Sequence, residues 1–355
     1  MPKEFYTEIR KFDKNRIAYA PEIGFIHLRQ AISEHYEKYG LYYSEDEIFI
    51  TSGASEGIHI SFLTTCDVGD HILTTNPYYT NYETMSTMTE VNLDVFDCFI
   101  ENDYDLPPKK EIVSKITDKT KALLICNPSN PTGKVLSKKE VDLLSEIAFE
   151  YDLYIIADEI YRDFIYDDKK FISFAENKNI HDRLILLESV SKRFSACGAS
   201  IGTMLIKNEE LKEKIYKICS ARISVPTIDQ YGAAALYKTD KSYIEGVREE
   251  YEKRRNLIYK LISDIPNIKL NYPQGALYMI VELPVNDSEK FASWLLTDFD
   301  YNGQTILLTP AAGFYKDKIR GKKEIRFVFA LSQEKIKRGI EILKKGLEEY
   351  NKLNG

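Results

Sequence analysis

Cysteine is scarce in this sequence. Five residues, Cys66, Cys98, Cys126, Cys197 and Cys219, are scattered over 355 positions, an odd number with no C-x-x-C pair. That excludes a disulfide-built scaffold and points to reduced thiols in a cytoplasmic protein. The five histidines do not cluster with them, so no metal site is expected. No apolar run approaches the roughly 18 residues that span a bilayer. The start, MPKEFYTEIRKFDKNR, is charged and has no apolar signal core. Lysine and arginine do not gather among aromatics, and the net charge is -7, which argues against nucleic acid and against a membrane surface as partners. There is no internal repeat and no low-complexity linker. What remains is an ordinary globular composition, 44% hydrophobic and 29% charged, on a chain longer than one core usually supports. One large and one smaller domain is the expectation.

From about residue 46 to 205, short apolar runs alternate with helical patterns. Strands are expected at 47–50, 71–74, 122–125, 153–156, 184–187 and 202–205, with helices between several of them. In 137–151, for example, Val141, Leu144, Ile147 and Ala148 recur at helical spacing. This is the α/β pattern of a mostly parallel sheet covered on both faces, which binds ligands at the carboxyl ends of its strands. After a long helix near 243–265 the rhythm changes to strands at 276–283 and 324–330 and a helix at 333–352. The domains expected are a large one over 40–265 and a small one from 1–39 with 266–355.

Five strand ends carry residues that could do chemistry. The first leads into Thr51-Ser52-Gly53-Ala54-Ser55-Glu56-Gly57, a turn able to offer backbone N–H groups to an anion, or equally a plain N-cap. The second leads into Asn76-Pro77-Tyr78-Tyr79, where a tyrosine could lie on a flat ring or simply pack. The third leads into Asn127-Pro128-Ser129-Asn130-Pro131-Thr132-Gly133, a rigid turn carrying an amide. The fourth leads into Asp158-Glu159-Ile160-Tyr161, where an acid after a buried run is costly without a partner. The fifth leads into Ser189-Val190-Ser191-Lys192. Taken singly, each has a bland structural explanation. Together they offer a phosphate cradle, a flat aromatic, an amide, an acid, a phenol and a lysine. Pyridoxal 5'-phosphate would use all of them.

The order and spacing of these motifs resemble the class I/II aminotransferases, the fold-type I pyridoxal-phosphate enzymes. The resemblance extends from Tyr19-Ala20-Pro21-Glu22-Ile23-Gly24 to Glu324-Ile325-Arg326-Phe327, and the stretch after Lys192 looks closest to aspartate-type members. It implies an α/β/α sandwich with a mostly parallel mixed sheet plus a smaller α+β domain. It also implies an amino-group exchange between an amino acid, acidic or aromatic, and a 2-oxo acid. Lys192 looks like the Schiff-base lysine and proton shuttle, and Asp158 like the partner of the pyridine nitrogen. Asn130 and Tyr161 would hydrogen-bond the ring hydroxyl, and Tyr79 would stack on the ring. Ala54, Ser55 and Ser189 would hold the phosphate, and Tyr19 would reach it from the second subunit of a homodimer. Arg326 would clamp the substrate carboxylate, with Arg162 or Arg222 as candidate cations for a distal one.

Two departures from the family pattern stand out. The position eight residues after the lysine, where the family places a phosphate-binding arginine, is Ser200 here, with Arg193 adjacent to Lys192 as a possible substitute. The start matches a point downstream of the family's usual beginning, which implies a short N-terminal segment. These departures keep two alternatives open: a C–S or other β-elimination lyase on the same fold, and a degenerate, non-catalytic homologue that binds the cofactor or a metabolite.

Overall fold

The computed structural model describes residues 1–12 and 15–354. The six expected strands are present, with a seventh between the second and third. They are β1 (Ile48–Ser52), β2 (His71–Asn76), β3 (Asn92–Asp97), β4 (Thr120–Cys126), β5 (Tyr154–Asp158), β6 (Leu184–Ser189) and β7 (Ile201–Ile206). They form one sheet in the order β1-β7-β6-β5-β4-β2-β3. Strand β7 runs antiparallel to both its neighbours and the remaining pairs are parallel.

Both faces of this sheet are buried because successive side chains alternate between two cores. On β4, Leu123 and Ile125 enter one core and Ala122 and Leu124 the other. On β6, Leu184 and Leu186 separate in the same way from Ile185 and Leu187. The helices of the large unit are α1 (Lys3–Arg10), α2 (Ile26–Glu37), α3 (Gly53–Thr65), α4 (Asn81–Thr89), α5 (Lys109–Val113), α6 (Lys138–Glu150), α7 (Val190–Arg193), α8 (Glu209–Arg222) and α9 (Thr227–Leu236). Helix α6 starts where Ser137 and Glu140 cap each other reciprocally.

The small unit follows α10 (Lys241–Ser263). It contains β8 (Lys269–Leu270), β9 (Tyr278–Glu282), α11 (Ser288–Thr297), β10 (Glu324–Val328) and α12 (Gln333–Asn354), with the strands ordered β10-β9-β8 and antiparallel. Its core joins Ile258 and Ile262 of α10 to Met279, Phe291, Ile325 and Leu343. The N-terminal helices lie elsewhere. The sequence expectation groups residues 1–39 with the small domain, whereas Phe5, Leu28, Ile32 and Tyr36 enter the core of the large sheet. Helix α1 packs on α9 at Gly232, where an added Cβ would lie 2.5 Å from the Phe5 ring.

Candidate functional site

The site is built at the carboxyl edge of β4, β5 and β6. Asp158 is the last residue of β5 and is only 1% exposed. Its Oδ2 accepts the Tyr82 hydroxyl of α4 at 2.8 Å. Burial pushes its carboxyl up to about 6, against the pull of the Tyr82 hydrogen bond, the Ile160 amide and the charge of Lys192. Lys192 stands half-buried on α7, the four-residue helix that follows β6. That helix is started by Ser189, whose Oγ accepts the Ser191 amide at 3.1 Å and donates to the Ile201 carbonyl at 3.0 Å.

The turn after β4 is tied down at both ends. The Asn127 amide donates to the Asp158 carbonyl at 3.0 Å, and the Ser129 amide to the Lys134 carbonyl at 2.8 Å. This presents Asn130, 4% exposed, to Arg326 of β10, whose Nη1 donates to Asn130 Oδ1 at 3.0 Å. The Arg326 guanidinium lies between two rings, its Cζ 4.6 Å from the centroid of Tyr278 and 4.7 Å from that of Phe314. Its Nε is buried and has no hydrogen-bond partner. Among the described residues no carboxylate forms an ion pair with it. Burial lowers its pKa, opposed by the hydroxyls of Tyr278, Tyr161 and Tyr79, so those three tyrosines share its environment. The Tyr161 hydroxyl is 2.8 Å from that of Tyr278, and Tyr79 meets Tyr82 edge-on at 5.6 Å.

Beside these groups lies the start of α3. The first-turn amides of a helix lack intrahelical partners and favour an anion, and here they belong to Gly53, Ala54 and Ser55. The Ser52 amide is already taken by Glu56, which pairs with Arg222 at 3.2 Å. Gly202 of β7 allows this turn to approach, since a Cβ there would lie 2.3 Å from the backbone carbon of Gly53. Ser200 faces the same turn, its Oγ 3.4 Å from the place a Cβ on Gly53 would occupy.

Of the residues expected in the site, Tyr19 is the outlier. It projects from the surface, 79% exposed. The three candidate arginines are committed elsewhere. Arg193 is buried and ion-paired with Asp163 and Glu188, which removes it as a substitute at the phosphate. Arg162 lies over the rings of Tyr36, Tyr39 and Phe171, and Arg222 donates to the Glu22 carbonyl and to Glu56. Neither is among the groups acting on Arg326. Tyr82, Tyr278 and Phe314 were not singled out from the sequence. Tyr82 follows the second strand end by a few residues, on α4, and no local signal marked it.

The profile of the family described as aminotransferase class I and II matches residues 7–343. The chain belongs to that family. It is 32% identical to a probable aspartate aminotransferase of Methanocaldococcus jannaschii, over 96% of this chain and 88% of the relative. It is 29% identical to aromatic-amino-acid aminotransferase 2 of Thermococcus litoralis, over 98% of this chain and 88% of that one. The crystal structure of an aromatic aminotransferase from Pyrococcus horikoshii superposes with a TM-score of 0.90 at 27% identity, covering 99% of this chain and 93% of the other.

As a fold-type I aminotransferase, the protein depends on pyridoxal 5'-phosphate and moves an amino group between an amino acid and a 2-oxo acid. Its own groups fit that cofactor. A helix start with open amides lies beside an approach that only glycine permits, a buried acid lies within the field of a lysine, and a guanidinium with no hydrogen-bond partner on its Nε lies against Asn130. No helix is long and apolar enough to cross a membrane, among the described residues.

Proposed function

We propose that the pocket between Asp158, Lys192 and Arg326 carries out the transfer, with Lys192 holding the cofactor covalently and moving the proton at the substrate Cα. The observation that carries this reading is Arg326, a largely buried guanidinium with an orphaned Nε and no paired carboxylate among the described residues. A buried cation without an anion is costly, and a substrate α-carboxylate matches its fork. The bound cofactor supplies an electron sink in its pyridine ring. Asp158, with its carboxyl at about 6, is ionised at neutral pH and would favour a protonated ring nitrogen. Asn130 and Tyr161 would donate to the ring hydroxyl and Tyr79 would cover the ring face. The amides of Ala54 and Ser55, with Ser189, would take the phosphate.

Aromatic amino acids are supported as donors by the rings of Tyr79, Tyr278 and Phe314 around Arg326. Aspartate is supported by the relatives named for it, including those of Methanocaldococcus jannaschii and Bacillus subtilis. A homodimer in which Tyr19 reaches the neighbour's phosphate is supported by the exposure of Ile17 (62%) and Tyr19 (79%). A cytoplasmic location is supported by five unpaired thiols.

Borohydride reduction of purified holoprotein, followed by peptide mapping, tests the assignment. The expected result is cofactor fixed to Lys192, and a visible spectrum that shifts before reduction when tyrosine or aspartate is added. Cofactor on another lysine overturns the assignment. A spectrum indifferent to every amino acid overturns the activity.

A further inference from the structure

The start of β9 belongs to the small sheet but is fastened to the large unit. The amides of Gln274 and Gly275 both donate to the Gly133 carbonyl at 2.9 Å, and the Ala276 amide donates to the Phe164 carbonyl at 2.9 Å. The Tyr166 hydroxyl donates to the Ala276 carbonyl at 2.6 Å. Gly133 is packed so closely that a Cβ on it would lie 2.7 Å from the Tyr278 carbonyl oxygen. These contacts fix Tyr278, the first residue of β9, against both the turn that carries Asn130 and the segment that carries Tyr161. Its ring meets Tyr161 edge-on, with centroids 5.5 Å apart at 88°. Its hydroxyl lies 2.8 Å from the Tyr161 hydroxyl, and its face lies under the Arg326 guanidinium at 4.6 Å. One side chain therefore touches both the phenol and the carboxylate clamp of the site.

Two hydroxyls at that distance share one hydrogen bond, so one donates and the other accepts. If Tyr161 gives its proton to the cofactor ring, Tyr278 must be the donor between them. A hydrogen bond accepted at Tyr161 Oη polarises the Tyr161 O–H and makes it a stronger donor. We propose that Tyr278 is a positioning residue for the transfer reaction: its hydroxyl donates to Tyr161 and turns the Tyr161 proton toward the cofactor ring, while its face supports Arg326. This rests on the reading above that Tyr161 meets the ring hydroxyl. The other titratable and charged groups around the pair are Asp158, Cys126, Tyr79, Tyr251 and Arg326.

The test is the pH midpoint of the bound cofactor's visible absorbance in Tyr278→Phe, Tyr161→Phe and the double variant, read on holoprotein without substrate. Tyr161 donation disfavours the protonated form of the lysine–cofactor linkage, so its loss raises the midpoint. Tyr278→Phe is expected to raise the midpoint by roughly half to one pH unit, the size of one neutral hydrogen bond. Tyr161→Phe should raise it further, and the double variant should match Tyr161→Phe. Tyr278→Phe keeps the ring under Arg326. Tyr278→Leu loses the ring and raises KM for L-tyrosine roughly threefold to tenfold. A role confined to packing lowers stability and leaves the midpoint unmoved. If Tyr161→Phe shifts the midpoint and Tyr278→Phe does not, or if the two shifts add, the proposal for Tyr278 falls alone. If Tyr161→Phe itself has no effect, the role of Tyr161 falls and the proposal falls with it.

Discussion

Ser200→Arg places a guanidinium at the mouth of the phosphate cradle, at the position where the family pattern carries one. Ser200 already has a left-handed backbone, φ 51°, so the native residue bears that conformational cost and arginine adds little to it. The side chain leaves the backbone toward the first turn of α3, with Oγ 3.4 Å from the Cβ position of Gly53. A charge-assisted contact to a dianion is worth about 1.5–3 kcal/mol. Ser200 is exposed, so solvent screening favours the lower end, about tenfold in Kd. The Glu56 carboxylate of the same helix already holds Arg222 at 3.2 Å and the Ser52 amide. The assay is an absorbance titration of apoprotein with pyridoxal phosphate, for the wild type and for Ser200→Arg, at 0.1 M and 1 M salt. The expected result is about tenfold tighter binding by the variant, narrowing at high salt as the Debye length falls from roughly 10 to 3 Å. Equal affinities would mean that a cation already reaches the phosphate. Since Arg193 and Arg222 are committed elsewhere in this chain, that cation would have to come from a second copy, and the reasoning about Ser200 would be refuted.

Asp158→Asn tests the cost of the buried acid. A carboxyl raised by folding binds protons that the unfolded chain releases, so the apoprotein loses stability as pH rises from the ordinary 3.8 to about 6 and stays at the lower level above it. The full difference is about 3 kcal/mol. The variant should therefore melt above the wild-type apoprotein at pH 7.5, by a margin that shrinks toward pH 4, while binding the cofactor more weakly. Thermal melts across that range decide it, and a margin independent of pH sinks the argument. Gly202→Ala pushes a Cβ to 2.3 Å from the Gly53 backbone, an overpacking cost of about 1–3 kcal/mol or more. Urea denaturation should show that loss together with weakened cofactor binding. Gly198→Ala, which meets nothing within 4 Å, should change neither, and equal effects from the two would contradict the close-approach account.

The strands of the large sheet were legible because all but one are buried on both faces and read as apolar runs. Strand β3 was not, because Asn92-Leu93-Asp94-Val95-Phe96-Asp97 mixes acids into an edge strand that pairs on one side only. The turns that follow β1, β2, β4, β5 and β6 were legible because loops at a sheet's carboxyl edge use turn residues with their own signatures, such as the Asn-Pro steps and Thr132-Gly133. Tyr82 and Tyr278 had no comparable mark. Their partners lie 76 and 117 residues away in the chain, and nothing local distinguishes a tyrosine that hydrogen-bonds Asp158 or Tyr161 from one that packs. The arginines show the converse. Type and proximity in sequence made Arg193 a candidate for the phosphate, but only the fold reveals that Asp163 and Glu188 neutralise it in the interior.

That interior cluster bears on how this part of the chain can change. Helix α7 spans only Val190–Arg193, and successive residues on a helix point about 100° apart. Lys192 and Arg193, adjacent cations, are thereby sent to opposite fates. One joins the pocket, and the other enters a closed set with Glu188, Asp163 and His35, where Tyr36 donates to Glu188 at 2.9 Å and Arg193 donates to His35 at 2.8 Å. Burial and the charge of Arg193 push His35 well below its usual range, so it stays the neutral acceptor this set requires. Inserting or deleting a single residue between Ser189 and Lys192 would turn both cations by about 100° about the helix axis and take Arg193 out of register with Glu188 and Asp163. The length of this segment is thus under tighter physical constraint than its composition.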